Sequence, residues 1–107
     1  MTQFNKRGKA FETKFKTDQE LAFKAQARRN KLLGLWAAEL MGVEGSSAES
    51  YAKEVVVSDF EAPGDDDVLQ KVLADLTGKG VETSEHLVRV EMDKLMDVAR
   101  NQIMEEE

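Results

Sequence analysis

The sequence predicts an all-α fold, a compact four-helix bundle preceded by a flexible N-terminal arm. Apolar residues recur at three- and four-residue spacing along most of the 107-residue chain, as they do in amphipathic helices. Glycine, serine and proline separate these segments and favour helix ends. The first 17 residues contain three phenylalanines, which alone cannot offset the entropy lost when such a segment becomes ordered. We therefore expect a basic arm over residues 1–17 and a bundle domain over residues 18–107.

The first helix is expected over about residues 18–41. Thr17 and Glu20 fit a capping box, in which each side chain satisfies an exposed amide at the helix start. Gly42 fits the helix end, because glycine adopts the left-handed cap conformation without strain. Residues 32–41 leave little polar face, which predicts that this part of the helix lies in the centre of the bundle.

The second helix is expected over about residues 48–60, with Ser46 and Glu49 as a capping box. Its run Val55-Val56-Val57 is also typical of a buried strand. One isolated strand would have no partner in this chain, so the pattern favours a helix. Pro63 follows as a stop signal.

The third helix is expected over about residues 66–77, where three consecutive aspartates beginning at Asp65 favour a helix start through capping and the helix dipole. The fourth is expected over about residues 84–104, capped by Thr83 or Ser84. The expected core residues are Leu33, Trp36, Leu40, Val55, Leu73 and Leu95.

Charge is divided unevenly along the chain, whose net charge is −6. Residues 1–34 hold nine Lys and Arg against three acids, a net charge of +6. Residues 35–107 hold six Lys and Arg against eighteen acids, a net charge of −12. The asymmetry suggests a cationic segment attached to an acidic body. The two segments could attract each other within the fold, or the cationic segment could meet a partner.

Aromatic and basic residues are interleaved in the arm. Phe4, Phe11 and Phe15 have spacings of seven and four, which place the three rings on one face of a helix. Such rings could anchor in a groove of a protein partner while basic side chains set the register. The predicted partner-binding basic residues are Lys6, Arg7, Lys9, Lys14, Lys16, Lys24, Arg28 and Arg29.

Residue types needed for catalysis are scarce. The chain has no cysteine and one histidine, His86, so neither a thiolate nucleophile nor a zinc site is expected. Asp65-Asp66-Asp67 lacks the spaced oxygen ligands of a calcium loop. Gly78-Lys79-Gly80 and the stretch 42–47 match no phosphate loop. We expect no enzyme and no cofactor, with weak adenine-nucleotide binding at a helix end as an alternative.

Nucleic acid and membranes are alternative partners for the basic segment. Its lysines and arginines could bind phosphates, and a basic amphipathic arm could lie on a lipid surface. The acidic body would be repelled by nucleic acid and by anionic lipid, so we expect neither nucleic-acid binding nor membrane insertion. The alternative function is a helical nucleotide-sensing or nucleic-acid-binding regulatory protein.

One long segment resembles a known family. FKAQARRNKLLGLWAAELMG, residues 23–42, is similar to the signature of the zeta subunit family, the ATPase inhibitor of alpha-proteobacterial F-type ATP synthases. GKAFETKF (8–15), TDQEL (17–21) and YAKEVVVSDFEAPGDDDVLQKVLADL (51–76) also resemble that family, as does the final helix with its acidic tail. The resemblance covers essentially the whole chain. The stretch 16–19 departs from the family pattern.

The resemblance implies a four-helix bundle with an inhibitory N-terminal segment, here residues 1 to about 19. It implies inhibition of ATP hydrolysis by the catalytic sector and a one-way brake on rotation. The segment is implied to enter a catalytic alpha–beta interface and to reach the central gamma subunit. Such a protein would be a bacterial cytoplasmic monomer when free, and would lie peripheral to the inner membrane through the ATP synthase.

Overall fold

Four α-helices make up the structure, a computed structural model that describes the backbone of residues 2–106 and the side chains of residues 18–106. The helices are α1 (Thr2–Leu40), α2 (Ser46–Glu61), α3 (Asp65–Gly78) and α4 (Glu85–Glu106). All regular secondary structure over residues 2–106 is helical, which confirms the all-α four-helix prediction. The last three helices begin and end within two residues of the expected positions.

Two predicted helix starts are wrong. α1 begins at Thr2 and not near residue 18, so the predicted boundary at residue 17 falls inside one helix. The capping box of Thr17 and Glu20 is a local signal only, and good helix formers on both sides of it favour continuation. In α2 the N-cap is Gly45, with no side-chain cap hydrogen bond, so Ser46 does not form the predicted capping box.

Other helix ends agree with the sequence. The Ser84 hydroxyl accepts a hydrogen bond from the Leu87 amide at 3.2 Å, which caps α4 as predicted. After α1, the Val43 amide donates to the Ala38 carbonyl at 2.8 Å around Gly42, whose φ is +75°. This is the Schellman arrangement, and glycine is favoured in it because φ is positive.

The core lies where the other three helices meet α1. Its fully or almost fully buried members are Leu33, Ala37, Val55, Val68, Leu69, Val72, Leu76, Val88 and Met92. Trp36, Leu73 and Leu95, predicted as core, are partly buried and pack against this cluster. Leu40 is 46% exposed, which corrects its assignment to the core. Leu40 is the last residue of α1 and follows the last buried residues of that helix, Ala37 and Ala38.

The backbones of α1 and α2 come into direct contact at Gly34. A Cβ placed on this residue would lie 2.5 Å from the Ala52 Cα and 3.1 Å from the Ala52 Cβ. Both residues are buried. The close approach leaves no room for a side chain on α1 at this position, which explains why a glycine lies within the apolar stretch 32–41.

Polar side chains join α2 to α3. The Tyr51 hydroxyl donates to Asp75 Oδ2 at 2.8 Å, and Lys71 Nζ lies 5.5 Å from the centre of the Tyr51 ring. Lys71 also lies 3.1 Å from Asp75 and 3.3 Å from Glu54. Burial and the hydrogen bond to Asp75 raise the pKa of Tyr51, so the phenol stays protonated and remains a donor.

Substitution at Gly34 tests the α1–α2 contact. Gly34→Ala should lower the free energy of unfolding by roughly 1–3 kcal/mol, because the new methyl group overlaps the α2 backbone. Gly78→Ala is the matched control. Gly78 is also helical, has nothing within 4 Å of an added Cβ, and should change stability by less than about 1 kcal/mol. Urea unfolding of both variants measures the difference, and equal stabilities would contradict the close contact.

Candidate partner-binding surface

Arg29 is buried, although its sequence context predicted a contact with a partner. Its side chain is 2% exposed. One terminal guanidinium nitrogen, Nη2, donates to Asp65 Oδ1 at 2.8 Å, and Nε donates to Asn30 Oδ1 at 2.8 Å. This placement corrects the expectation, because the guanidinium is engaged inside the bundle and leaves no surface for a partner.

Arg29 belongs to a larger polar network that consists of Gln26, Arg29, Asn30, Asp59 and Asp65. Asn30 is 1% exposed and donates through Nδ2 to Asp59 Oδ2 at 2.8 Å. Gln26 Nε2 lies 3.3 Å from the same Asp59 oxygen and 3.2 Å from Asp65 Oδ1. The network therefore connects α1 to the last turn of α2 and to the first residue of α3.

The network also changes the acidity of one carboxyl group. The hydrogen bond from Arg29 lowers the pKa of Asp65 below its usual value, more than desolvation raises it. Buried side-chain nitrogen and oxygen atoms among the described residues all have hydrogen-bond partners. A satisfied network of this kind fixes the relative positions of the elements it joins, whereas removal of one member leaves the others unpaired.

Arg28 is partly exposed, and its guanidinium contacts side chains of α4. Nη1 donates to Gln102 Oε1 at 2.8 Å, and Nη2 lies 2.8 Å from Glu106 Oε1. The Arg28 side chain is 25% exposed and the Glu106 side chain is 54% exposed. Arg28, like Arg29, thus uses the opposite charges of the cationic and acidic segments for contacts within the fold.

The remaining predicted contacts divide into two groups. Lys24 is exposed and lines an open groove between α1, α2 and α4 together with Lys31. The other predicted side chains lie outside the described residues, so their roles stay predictions. These are Phe4, Lys6, Arg7, Lys9, Phe11, Lys14, Phe15 and Lys16.

Two exposed aromatic residues of the surface were not predicted from the sequence. Phe23 and Phe60 are 59% and 58% exposed, and their ring centroids lie 5.7 Å apart. Neither residue is among the expected core residues or the predicted partner-binding residues. One signal was available in α1, where Phe23, Ala27 and Lys31 recur every four residues and so share a helix face.

The described part of the chain offers neither a membrane span nor a metal site. None of its helices is long and apolar enough to cross a membrane. Over the same residues, no group of three or more His, Cys, Asp or Glu side chains is placed to hold a metal ion. His86 is exposed in the first turn of α4, as its position in the sequence suggested.

The two neighbouring arginines should differ in their effect on stability. Arg29→Ala should lower the free energy of unfolding by roughly 2–3 kcal/mol, because it leaves buried polar groups unpaired and removes a buried side chain. Arg28→Ala is the matched control and should cost about 1 kcal/mol or less, because its carboxylate partner Glu106 is more than half exposed and stays solvated when the arginine is removed. Denaturant unfolding measures both, and equal losses would contradict the network.

The lowered pKa of Asp65 predicts a loss of stability in acid. Between the unfolded value of 3.8 and the lower folded value, the unfolded chain binds more protons than the folded chain. The stabilising contribution is therefore present above pH 3.8 and is lost as the pH falls through the folded value.

Asp65→Asn tests this contribution by removing the titrating group. The variant should be less stable at neutral pH and should show a shallower loss of stability in acid, measured by urea unfolding from pH 7 to pH 2. Glu82→Gln, at an exposed carboxylate between α3 and α4, should keep the original profile. If the stability of Asp65→Asn falls with pH as steeply as that of the unaltered chain, Asp65 does not make the proposed contribution.

The chain is similar to known proteins over most of its length. A family model described as ATPase inhibitor subunit zeta matches residues 1–102. A protein with a solution NMR structure is 53% identical and superposes with a TM-score of 0.69, over 79% of this chain and 96% of that chain. No curated protein matches the sequence. Because the family model extends over the N-terminal segment and the bundle, the chain belongs to the ATPase inhibitor subunit zeta family.

Proposed function

We propose that this protein inhibits ATP hydrolysis by an F-type ATP synthase. The observation that carries the proposal is the match of the ATPase inhibitor subunit zeta family to residues 1–102. An inhibitor subunit acts by occupying its target and needs no catalytic group of its own. The proposed partners are the alpha, beta and gamma subunits of the catalytic sector. No cofactor is required for this role.

The proposed inhibitory element is the segment over residues 1–17, with a net charge of +4 from five basic residues and one acid. It enters a catalytic alpha–beta interface, where Phe4, Phe11 and Phe15 occupy an apolar groove. Lys6, Arg7, Lys9, Lys14 and Lys16 set its register against carboxylates of the partner. Buried aromatic anchors supply most of the affinity of such a contact, and charges supply its steering and register.

The bundle keeps this segment attached to a body that stays outside the interface. α1 carries both the segment and residues that are fully buried in the bundle, such as Leu33. Arg29 further fixes α1 through its bond to Asp65. A body of four packed helices is about two helix diameters wide, each about 10 Å. It therefore blocks closure of the interface and rotation in the direction of hydrolysis.

The protein acts as a monomer that is recruited from the cytoplasm to the membrane-bound ATP synthase. Its net charge of −6 keeps the free protein soluble, while the cationic charge is concentrated near its N-terminus. This distribution favours approach of the N-terminal segment to an acidic groove ahead of the bundle.

Removal of the N-terminal segment tests the proposed function. A chain that lacks residues 2–15 should lose inhibition of ATP hydrolysis by the isolated catalytic sector, while circular dichroism shows that the bundle stays helical. Phe11→Ser combined with Phe15→Ser should raise the concentration for half-inhibition roughly tenfold or more. Leu87→Ser, at an exposed apolar residue of α4, is the control and should inhibit normally. Full inhibition by the truncated chain would rule out the role of this segment.

A further inference from the structure

The bundle has an exposed aromatic pair that lies outside its core cluster. The chain has five phenylalanines, and the two whose side chains are described, Phe23 and Phe60, are both more than half exposed. Their rings contact each other across α1 and α2 at 5.7 Å with an interplanar angle of 46°. The core is built without them, from aliphatic residues and methionine. Aromatic residues are enriched in protein interfaces relative to the rest of the surface, and exposed apolar patches often mark binding sites.

Grooves extend from both sides of this pair. A shallow cleft between α1 and α2 lies under the two rings and is lined by Ala27, Asn30 and Val56. A larger open groove of about 690 Å³ runs from Phe23 toward α4. Its further lining residues are Lys24, Ala27, Arg28, Lys31, Val56, Ile103 and Glu106. The larger groove thus combines apolar and basic side chains, while Gln26, Asn30 and Asp59 add polar groups to the cleft under the rings.

Lysines line the groove beside Phe23 and the depression next to that groove, on an otherwise acidic body. Lys31 and Lys53 line one depression beside Val56, and neither has a carboxylate within 4 Å among the described residues. Three carboxylates line the same grooves, Glu49, Asp59 and Glu106, against four basic residues. Glu106 is bound by Arg28, and Asp59 accepts hydrogen bonds from Asn30 and Gln26. The local charge is therefore positive, whereas residues 35–107 carry a net charge of −12.

The charge of this surface selects among possible occupants. In a two-fold dimer through this face, Lys31 and Lys53 would meet the same lysines of the second copy, and like charges would repel. An extended polyanion would also approach the acidic remainder of the bundle. A short protein segment with carboxylates at its edges and an apolar side chain at its centre fits both the rings and the lysines.

We propose that the surface formed by Phe23, Phe60, Lys24, Lys31 and Lys53 is a second docking site. It binds an acidic segment of the ATP synthase catalytic sector, with an apolar side chain of that segment seated against the two rings. The inference rests on the proposed function and extends it, because it assigns affinity to the bundle in addition to the N-terminal segment. Since Phe23 and Lys31 lie on α1, the second site is continuous with the helix that carries the inhibitory segment.

Full-length variants test the second site by inhibition of the isolated catalytic sector. Phe60→Ser removes one ring, and Lys31→Glu combined with Lys53→Glu reverses the rim charge. Each should raise the concentration for half-inhibition roughly tenfold, since an aromatic or charged anchor contributes that much to a protein interface. The controls are Leu87→Ser, at a residue that is 55% exposed, and Lys94→Glu, both on the exposed surface of α4. They should stay within about twofold of the unaltered chain.

The outcomes separate the two proposals. If the unaltered chain inhibits and both surface variants inhibit equally well, the second site is wrong and the proposed function stands. If Phe60→Ser inhibits more weakly but the charge-reversed variant inhibits normally, the claim that the docking segment is acidic is wrong. If the unaltered chain fails to inhibit, the proposed function falls and the second site falls with it. Thermal unfolding of each variant confirms that the bundle is intact, as expected for substitutions at exposed positions.

Discussion

The bonds that Arg29 and Asn30 make inside the bundle determine how the other features of the surface are arranged. Asn30 holds Asp59 at the end of α2, and Phe60 is the next residue along the chain. Arg29 holds Asp65 at the start of α3. The corner between α2 and α3 is thereby fixed against the basic half of α1, and Phe60 is brought to Phe23. The same buried bonds that stabilise the corner thus position an exposed aromatic pair.

α1 serves several roles because its faces are chemically different. Arg29, Leu33 and Ala37 are four residues apart and share the buried face of α1, which is polar at Arg29 and apolar further along, whereas Lys31 faces solvent. A helix can separate such roles over two turns, since residues three and four apart share a face while adjacent residues do not. The N-terminal part of the same helix is the proposed inhibitory segment. A substitution in α1 can therefore change inhibition, stability or both, depending on the face it alters.

Helix positions were largely predictable from the sequence, whereas the burial and the partners of individual charged residues were not. Glycine, proline and Ser84 are local signals for helix ends, and they predicted the ends of α2, α3 and α4 to within two residues. Arg28 and Arg29 look alike in the sequence. Their partners lie 74 and 36 residues away, at Gln102 and Asp65, so no local pattern separates a fully buried arginine from a partly buried one.

The sequence distances within these contacts also have a consequence for how the chain acquires its structure. Asn30 bonds to a residue 29 positions ahead, Arg29 to one 36 positions ahead, and Arg28 to one 74 positions ahead. A nascent chain leaves the ribosome from its N-terminus, and nearby contacts close faster than distant ones. α2 can therefore cover α1 early and α3 can complete the polar network next. The side of α1 that α4 covers stays exposed until synthesis is nearly finished, which makes it the surface most open to premature association.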